Sequence, residues 1–289
     1  MIAPRVVAIG GGHGLAMSLE AMRDLAGHLT AVVSVADDGG SSGRLRRELG
    51  IMAPGDMRRC LTALTPPGLV RDAIEHRFED GVLTGHPAGN LLLAALLEIA
   101  DDPVVAMDTA VAMVGARGRI LPACRTRVDL LAETGRGTVR GQVAVSRSGD
   151  IRRLRTSPAD PAVPAEVQAE IGAADLVLIG PGSLYTSVLA AAVPGVRRAI
   201  EASDGLVIYV ANLGGEPGET DGYTLGDHVD AIRGHGIEPD IVLADLSLPV
   251  DDRVREVVVS RQLHAHEGLA HSPEMLAAAV SELVTGVRA

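Results

Sequence analysis

Short runs of consecutive apolar residues alternate along this chain with segments whose apolar residues recur every three or four positions. Runs such as Arg5 to Ile9 and Asp175 to Ile179 predict strands buried on both faces, and the other segments predict helices. Strands that alternate with helices are typical of βαβ units and a parallel sheet. The pattern therefore predicts an α/β fold, and 289 residues are compatible with one large domain.

The segment from 119 to 158 breaks this pattern. Its apolar residues alternate with polar ones and are interrupted by glycines, which predicts antiparallel hairpins. We therefore interpret residues 1–289 as a single domain with a small antiparallel β insertion at about 119–158. The insertion contains nine arginines and three acidic residues, in a chain whose net charge is −11. A solvated surface is the simplest role for it, and a lid or docking face is the alternative.

Three predicted strands run into polar or glycine-rich turns followed by helices, at Gly10, Gly180 and Asn212. Helix N-termini attract anions, and glycine lets the backbone approach a phosphate closely. Such loops gather at the carboxyl edge of a parallel sheet. We expect a diphosphate to contact Gly10, Gly11, Gly12, His13 and Gly14 in the first loop, and Gly180, Gly182, Ser183 and Thr186 in the second. Capping a helix is the alternative role for His13 and for Ser183.

Two adjacent carboxylates, Asp37 and Asp38, follow the second strand about where a nucleotide-binding fold places its ribose ligand. They could instead hold Mg²⁺ through water, or one of them could form an ordinary Asx turn before Gly39-Gly40. Ser41, Ser42 and Arg44 follow as a polar cradle suited to a diphosphate.

Asp56 and Asn90 each precede a helical apolar run, so an N-cap role competes with ligand contact at both. The segment 212–223 is too polar and long for a plain connection. Asn212 in this segment carries an amide that can read a uracil edge, and we expect Thr220 and Tyr223 to help bind the ligand. His264 and His266 are only a weak indication of metal.

Composition narrows the chemistry. All 26 basic residues are arginine, which excludes a Walker-A lysine and a Schiff-base lysine. The acidic net charge and the aromatic content of 1% disfavour nucleic-acid binding. Two cysteines without metal or disulfide spacing suit a reducing cytosol. Because no signal peptide or membrane-length apolar stretch is visible, we expect a cytoplasmic protein without membrane insertion.

With these residues considered together, the chain resembles the YvcK/CofD-like family, and its YvcK branch in particular. The matching segments are GGGHGL (10–15), DDGGSSGRLR (37–46), PGDMRRCL (54–61), GNLLLAAL (89–96), ILPA (120–123), GPGSLYTSVL (180–189) and PGETDGYTLGDHV (217–229). The resemblance implies a Rossmann-like, doubly wound fold. It also implies a cytoplasmic, self-associating protein that binds a UDP-sugar, UDP-N-acetylglucosamine in particular, and supports cell-wall synthesis, cell shape and gluconeogenic growth.

The sister branch of that family transfers phospholactate with a nucleotide-diphosphate donor and a divalent metal. Ala36 before the paired aspartates, and Gly182-Ser183 in the second loop, depart from the pattern of that branch. The first hypothesis is therefore a non-catalytic UDP-sugar-binding regulator. A Mg²⁺-dependent transferase and an NAD-type dinucleotide binder remain as alternatives.

Overall fold

A computed structural model of the chain describes residues 3–264 and 270–286. Its strands are β1 (Arg5–Gly10), β2 (His28–Val33), β3 (Arg119–Pro122), β4 (Asp129–Thr134), β5 (Gly137–Arg140), β6 (Ile151–Ser157), β7 (Leu176–Ile179), β8 (Leu206–Val210), β9 (Ile241–Asp245) and β10 (Val257–Arg261). Seven of them form one parallel sheet in the order β10-β9-β8-β7-β1-β2-β3.

Helices flank this sheet, except for α7 (Gln142–Val145), which packs on the strands β4 and β5 of the insertion. The helices are α1 (Gly12–Met22), α2 (Gly40–Leu49), α3 (Gly55–Leu64), α4 (Leu69–Glu75), α5 (Ala88–Ile99), α6 (Pro103–Val114), α7 (Gln142–Val145), α8 (Ala165–Gly172), α9 (Leu189–Ala191), α10 (Pro194–Glu201), α11 (Leu225–Gly234) and α12 (Pro273–Gly286). A 3₁₀ turn spans Gly81–Leu83, and a π-helical segment, Leu184–Val188, leads directly into α9. The α/β, Rossmann-like prediction is confirmed.

The core is built from aliphatic side chains on both faces of the sheet. All four residues of β7 and the last five of β1 are buried, as expected for strands that helices cover on both sides. Tyr209 on β8 is fully buried, and so are the cysteines Cys60 and Cys124. Burial raises the pKa of both thiols, to about 12 for Cys124, so neither is ionised at neutral pH.

The antiparallel insertion is present but begins later than predicted. The three strands β4, β5 and β6 form a small sheet in the order β5-β4-β6. The segment Arg119–Pro122 instead pairs in parallel with β2 at the edge of the main sheet. Its neighbouring residues Ile120 and Leu121 are both fully buried, which is the pattern of a strand covered on two faces and not of an alternating hairpin.

The polar segment after Asp37 was expected to be a loop, but the helix α2 starts within it at Gly40. This helix has little apolar surface, but its Arg46 is buried and donates to the Val128 carbonyl at 2.7 Å and to the Asp129 carboxylate. A buried arginine therefore anchors α2 to the insertion. Because the anchor is a charged side chain, the sequence of α2 shows no periodic apolar pattern that would predict a helix.

Candidate functional site

The order of the main sheet reverses between β1 and β7, which lie side by side in parallel. The strands β2 and β3 lie on one side of this pair, and β8, β9 and β10 lie on the other. Ligands of open α/β sheets bind outside the carboxyl ends of the strands at such a reversal. The glycine-rich loops that follow β1 and β7 flank this position.

A cavity of about 460 Å³ opens between these loops. Its walls come from the loops after β1, β7 and β8 and from residues just before α12. Of the predicted residues it is lined by His13, Gly14, Gly182 and Asn212, and it is also lined by Met17, Pro181, Leu213, Gly214, Gly215, Glu216, Pro217, Ala270 and His271. The three loops expected to gather at one edge therefore share one cavity.

The first glycine loop forms the start of α1. Gly10 is the last residue of β1, whereas Gly12, with a φ of +64°, begins the helix. Amides in a first helical turn have no acceptor within the helix, so His13 and Gly14 bring backbone donors to the cavity wall. Gly14 packs against the second loop so closely that an added Cβ would clash with the Pro181 carbonyl.

One amide of this loop already has an acidic partner. The Gly12 N–H donates to the carboxylate of Asp56, which also accepts from Arg59 at 2.7 Å. Burial raises the pKa of Asp56, and the neighbouring Asp37 raises it further, against the effect of Arg59. Asp56 is the second residue of α3 and forms no cap of that helix. The N-cap interpretation is wrong, since Asp56 bonds to the start of α1 instead.

His13 is exposed beside two arginines. Desolvation lowers the pKa of its imidazole, and the charges of Arg59 and Arg58 lower it further. The ring is therefore neutral at pH 7 and has one N–H to donate. In the cavity wall, this N–H is available to an anionic ligand.

Asn212 joins two of the loops. Its Oδ1 accepts from the Gly182 amide at 3.2 Å, and its Nδ2 donates to Glu216 at 3.2 Å. Both ends of the amide are thus engaged within the protein, whereas a uracil-reading role was predicted. Asn212 acts in this structure as a brace across the cavity wall.

Glu219 was missed by the sequence analysis. This residue is only 3% exposed, and its carboxylate accepts from the amides of Tyr185 and Thr186 at 2.6 and 3.0 Å and from the Thr186 hydroxyl at 2.7 Å. Burial raises the pKa of Glu219, against the hydrogen bonds from Thr186. An internal carboxylate therefore occupies the donors of Thr186, which were expected to hold a phosphate.

Several other predicted ligand contacts in the second and third loops make hydrogen bonds within the protein instead. Gly180 has a φ of +77°, and its carbonyl accepts from Ser18 at 3.0 Å. Ser183 is half-buried and makes no cap hydrogen bond. Thr220 is fully buried and accepts from the Glu216 amide at 2.8 Å, while the Tyr223 hydroxyl meets that of Tyr185 at 3.0 Å. Thr220 and Tyr223 support the loop from behind.

The paired aspartates have separate roles. Asp37 accepts from the Gly39 amide at 2.9 Å, so it is this aspartate that forms an Asx turn, the alternative weighed for the pair. Asp38 accepts from the amides of Gln142 and Val143 at 3.0 and 2.9 Å and so caps α7 in the insertion. Of these two aspartates, Asp37 is the one whose charge raises the pKa of the nearby Asp56.

Ser41, Asn90 and an unpredicted histidine form a buried polar chain. The Ser41 hydroxyl bonds to His86 Nδ1 at 2.8 Å and accepts from Asn90 Nδ2 at 3.0 Å. Asn90 lies inside α5, which begins at Ala88, so the N-cap interpretation is wrong here as well. In the sequence, the only sign of His86 was its position in the Gly85-His86 pair just before the GNLLLAAL segment.

Ser42 and Arg44 flank this chain. Ser42 is buried and touches Gly55, where an added Cβ would clash with its hydroxyl. Arg44 donates to the Thr84 carbonyl at 2.9 Å. These two residues, with Ser41 and Asn90, lie outside the wall of the 460 Å³ cavity.

No group of three or more histidine, cysteine, aspartate or glutamate side chains suited to a metal occurs among residues 3–264 and 270–286. His264 bonds through Nδ1 to Asp245 at 2.9 Å. His266 lies outside the described residues. Metal binding at Asp37 and Asp38 remains a prediction.

A family profile described as 2-phospho-L-lactate transferase CofD matches residues 6–280. This chain belongs to the CofD family. A gluconeogenesis factor from Bacillus subtilis is 41% identical to it over 237 residues, which are 80% of this chain and 75% of that protein. A gluconeogenesis factor from Halalkalibacterium halodurans is 42% identical over 258 residues, which are 86% of this chain and 80% of that protein.

The fold of this CofD-family chain also has a solved counterpart. The crystal structure of a member of the UPF0052 family from Bacillus halodurans matches with a TM-score of 0.91 and 36% identity, over 98% of this chain and all of that one. The resemblance found in the sequence is therefore confirmed. Among the helices of the described residues, none has the length and apolar character needed to cross a membrane.

Proposed function

We propose that this CofD-family protein is a cytoplasmic regulator that binds a UDP-sugar, with UDP-N-acetylglucosamine as the first candidate. The convergence of the loops after β1, β7 and β8 on one cavity carries the proposal. Ligand pockets commonly enclose 300–1,000 Å³, and about 460 Å³ lies in that range. The likeness to gluconeogenesis factors supports the proposed role in gluconeogenic growth. The role in cell-wall synthesis and cell shape is proposed from the family resemblance of the sequence motifs alone.

The diphosphate would lie over the start of α1. The amides of His13 and Gly14 belong to an unsatisfied first turn, and the helix dipole favours negative charge there. The neutral His13 ring adds a further donor. Because the chain has no lysine, these groups supply the contacts that an ammonium group makes in other phosphate sites.

The sugar or uridine would lie toward the loop after β8. Glu216 faces the cavity as an acceptor for ribose or sugar hydroxyls, and Leu213 and Met17 supply apolar surface. Asn212 keeps its brace between Gly182 and Glu216. This assignment moves the expected ligand contacts from Thr220 and Tyr223, which lie deeper, to the neighbouring Glu216.

Calorimetric titration with UDP-N-acetylglucosamine tests the proposal. We expect one site per chain, at least tenfold weaker in His13→Asn and unchanged in His76→Asn, which alters an exposed histidine outside the cavity wall. Absence of heat at millimolar ligand would remove the proposal. Displacement of the UDP-sugar by NAD would favour the dinucleotide alternative.

A Mg²⁺-dependent transferase is the second candidate, since the matching family profile carries a transferase description. Asp37 and Asp56, adjacent at the carboxyl edge of the sheet, would hold the ion, which would neutralise phosphate charge. Incubating UDP-sugars with Mg²⁺ and cell extract separates the two candidates. Release of UMP or UDP that Asp37→Asn abolishes supports transfer, and intact UDP-sugar supports the regulator.

A further inference from the structure

A second cavity, of about 380 Å³, lies where the antiparallel insertion meets the body of the protein. One wall of this cavity is β6, the edge strand of the small sheet, and the opposite wall is formed by the start of α10 and the end of α11. Three arginines line it, Arg153, Arg155 and Arg197, and none of the described residues that line it is acidic. It is distinct from the 460 Å³ cavity, with which it shares no lining residue.

The positive charge of this second cavity is only partly neutralised. Arg155 pairs with Glu133 at 2.6 Å. Asp160 acts on Arg197 electrostatically but is paired with Arg198 at 3.2 Å, and no described carboxylate lies within ion-pairing distance of Arg153 or Arg197. Arg197 donates instead to the His235 carbonyl at 2.6 Å. Burial lowers the pKa of Arg197, and the charge of Arg153 lowers it further. Such a set of like charges would be stabilised by an anion.

A buried hydroxyl provides an independent sign of a missing partner. Thr156 is 7% exposed, lines the cavity, and its Oγ1 has no hydrogen-bond partner among the described residues. Buried polar groups are nearly always paired. The unsatisfied hydroxyl and the arginines without an ion pair therefore line the same cavity.

Backbone groups add to the same preference. The helix α10 begins at Pro194 in the cavity wall and has no side-chain cap, so the positive end of its dipole is available to an anion. The Leu154 amide points out of the sheet to His235 Nε2 at 2.9 Å. Because side-by-side groups on a strand repeat every two residues, the Thr156 amide lies on the same outer edge.

We infer that this second cavity binds a small phosphate-bearing anion. Arginine forks, a hydroxyl and a helix N-terminus are the donors that phosphate oxygens take. The concave shape favours a compact ligand over an extended acidic peptide. The inference does not depend on the proposed UDP-sugar site.

Inorganic pyrophosphate at low salt is a suitable calorimetric probe. We expect Arg153→Gln to bind at least tenfold more weakly, a change of about 1.4 kcal/mol. Arg152→Gln, which removes the same charge from the neighbouring position outside the cavity, should stay within twofold. Thr156→Val should weaken binding several-fold while leaving the melting temperature unchanged or higher, because it replaces an unpaired hydroxyl. His13→Asn should retain the site.

Equal weakening by Arg152→Gln and Arg153→Gln would overturn the inference in favour of diffuse charge attraction. Full affinity in both Arg153→Gln and Thr156→Val would also overturn it. An acidic peptide such as oligoglutamate that binds more tightly than pyrophosphate, and loses more affinity in Arg153→Gln, would assign the cavity to a protein segment instead.

Discussion

Glu219 is the internal anion on which the second loop depends, and its replacement by alanine is the most informative perturbation of the fold. Its carboxylate accepts hydrogen bonds from the amides of Tyr185 and Thr186 and from the Thr186 hydroxyl. Glu219→Ala removes the acceptor for all three. Glu219→Gln keeps a carbonyl oxygen for the two amides, removes the charge, and places an NH2 group where Oε2 accepts from the Thr186 hydroxyl.

The size of the effect follows from these contacts. A buried donor left without an acceptor costs about 1–3 kcal/mol. Three such donors would cost more, but the raised pKa of Glu219 indicates that its ionised form is itself desolvated, and removal relieves that cost. We therefore expect Glu219→Ala to lower the free energy of unfolding by about 3 kcal/mol, and Glu219→Gln by about 1 kcal/mol.

Urea unfolding followed by circular dichroism, with calorimetric melting as a second probe, measures both variants. A loss of about 3 kcal/mol corresponds to a fall in melting temperature of about 5 °C for a chain of this size. The reasoning is refuted if Glu219→Ala stays within 1 kcal/mol of the parent. It is also refuted if the glutamine variant is as damaged as the alanine variant.

Three further changes have defined outcomes. Gly14→Ala, whose Cβ would clash with the Pro181 carbonyl, should lower the free energy of unfolding by about 2 kcal/mol, whereas Gly214→Ala, in open space, should leave the melting temperature unchanged. Neither cysteine should react with iodoacetamide at pH 8 until the protein is unfolded, and rapid labelling of the native protein would contradict their burial. Burial opposes the ionisation of Asp245, but hydrogen bonds lower its pKa overall. The ionised Asp245 therefore stabilises the folded protein fully above its unfolded pKa of 3.8, and this stabilisation is lost on acidification. Acid titration of stability should be less steep in Asp245→Asn, and an unchanged slope would contradict this.

Much of the α/β layer was predictable from the sequence, because strands buried on two faces leave continuous apolar runs. The start of α11 also has a local cause, since Thr224 forms a capping box with Asp227 there. By contrast, α2 was not predicted, because a buried salt bridge of Arg46 fixes it to the insertion. The strand β3 was assigned to the wrong sheet, since a four-residue run does not reveal its neighbours.

The candidate site divides in the same way. By itself, the sequence determined which loops carry glycine and polar groups at the carboxyl edge of the sheet, because strand direction and glycine content are local properties. Only the tertiary structure decided which donors stay available. Asp56 and Glu219, distant in sequence, occupy amides that local patterns left open, while His13 and Gly14 keep theirs. Hydrogen-bond partners across the fold depend on three-dimensional proximity, which no local pattern encodes.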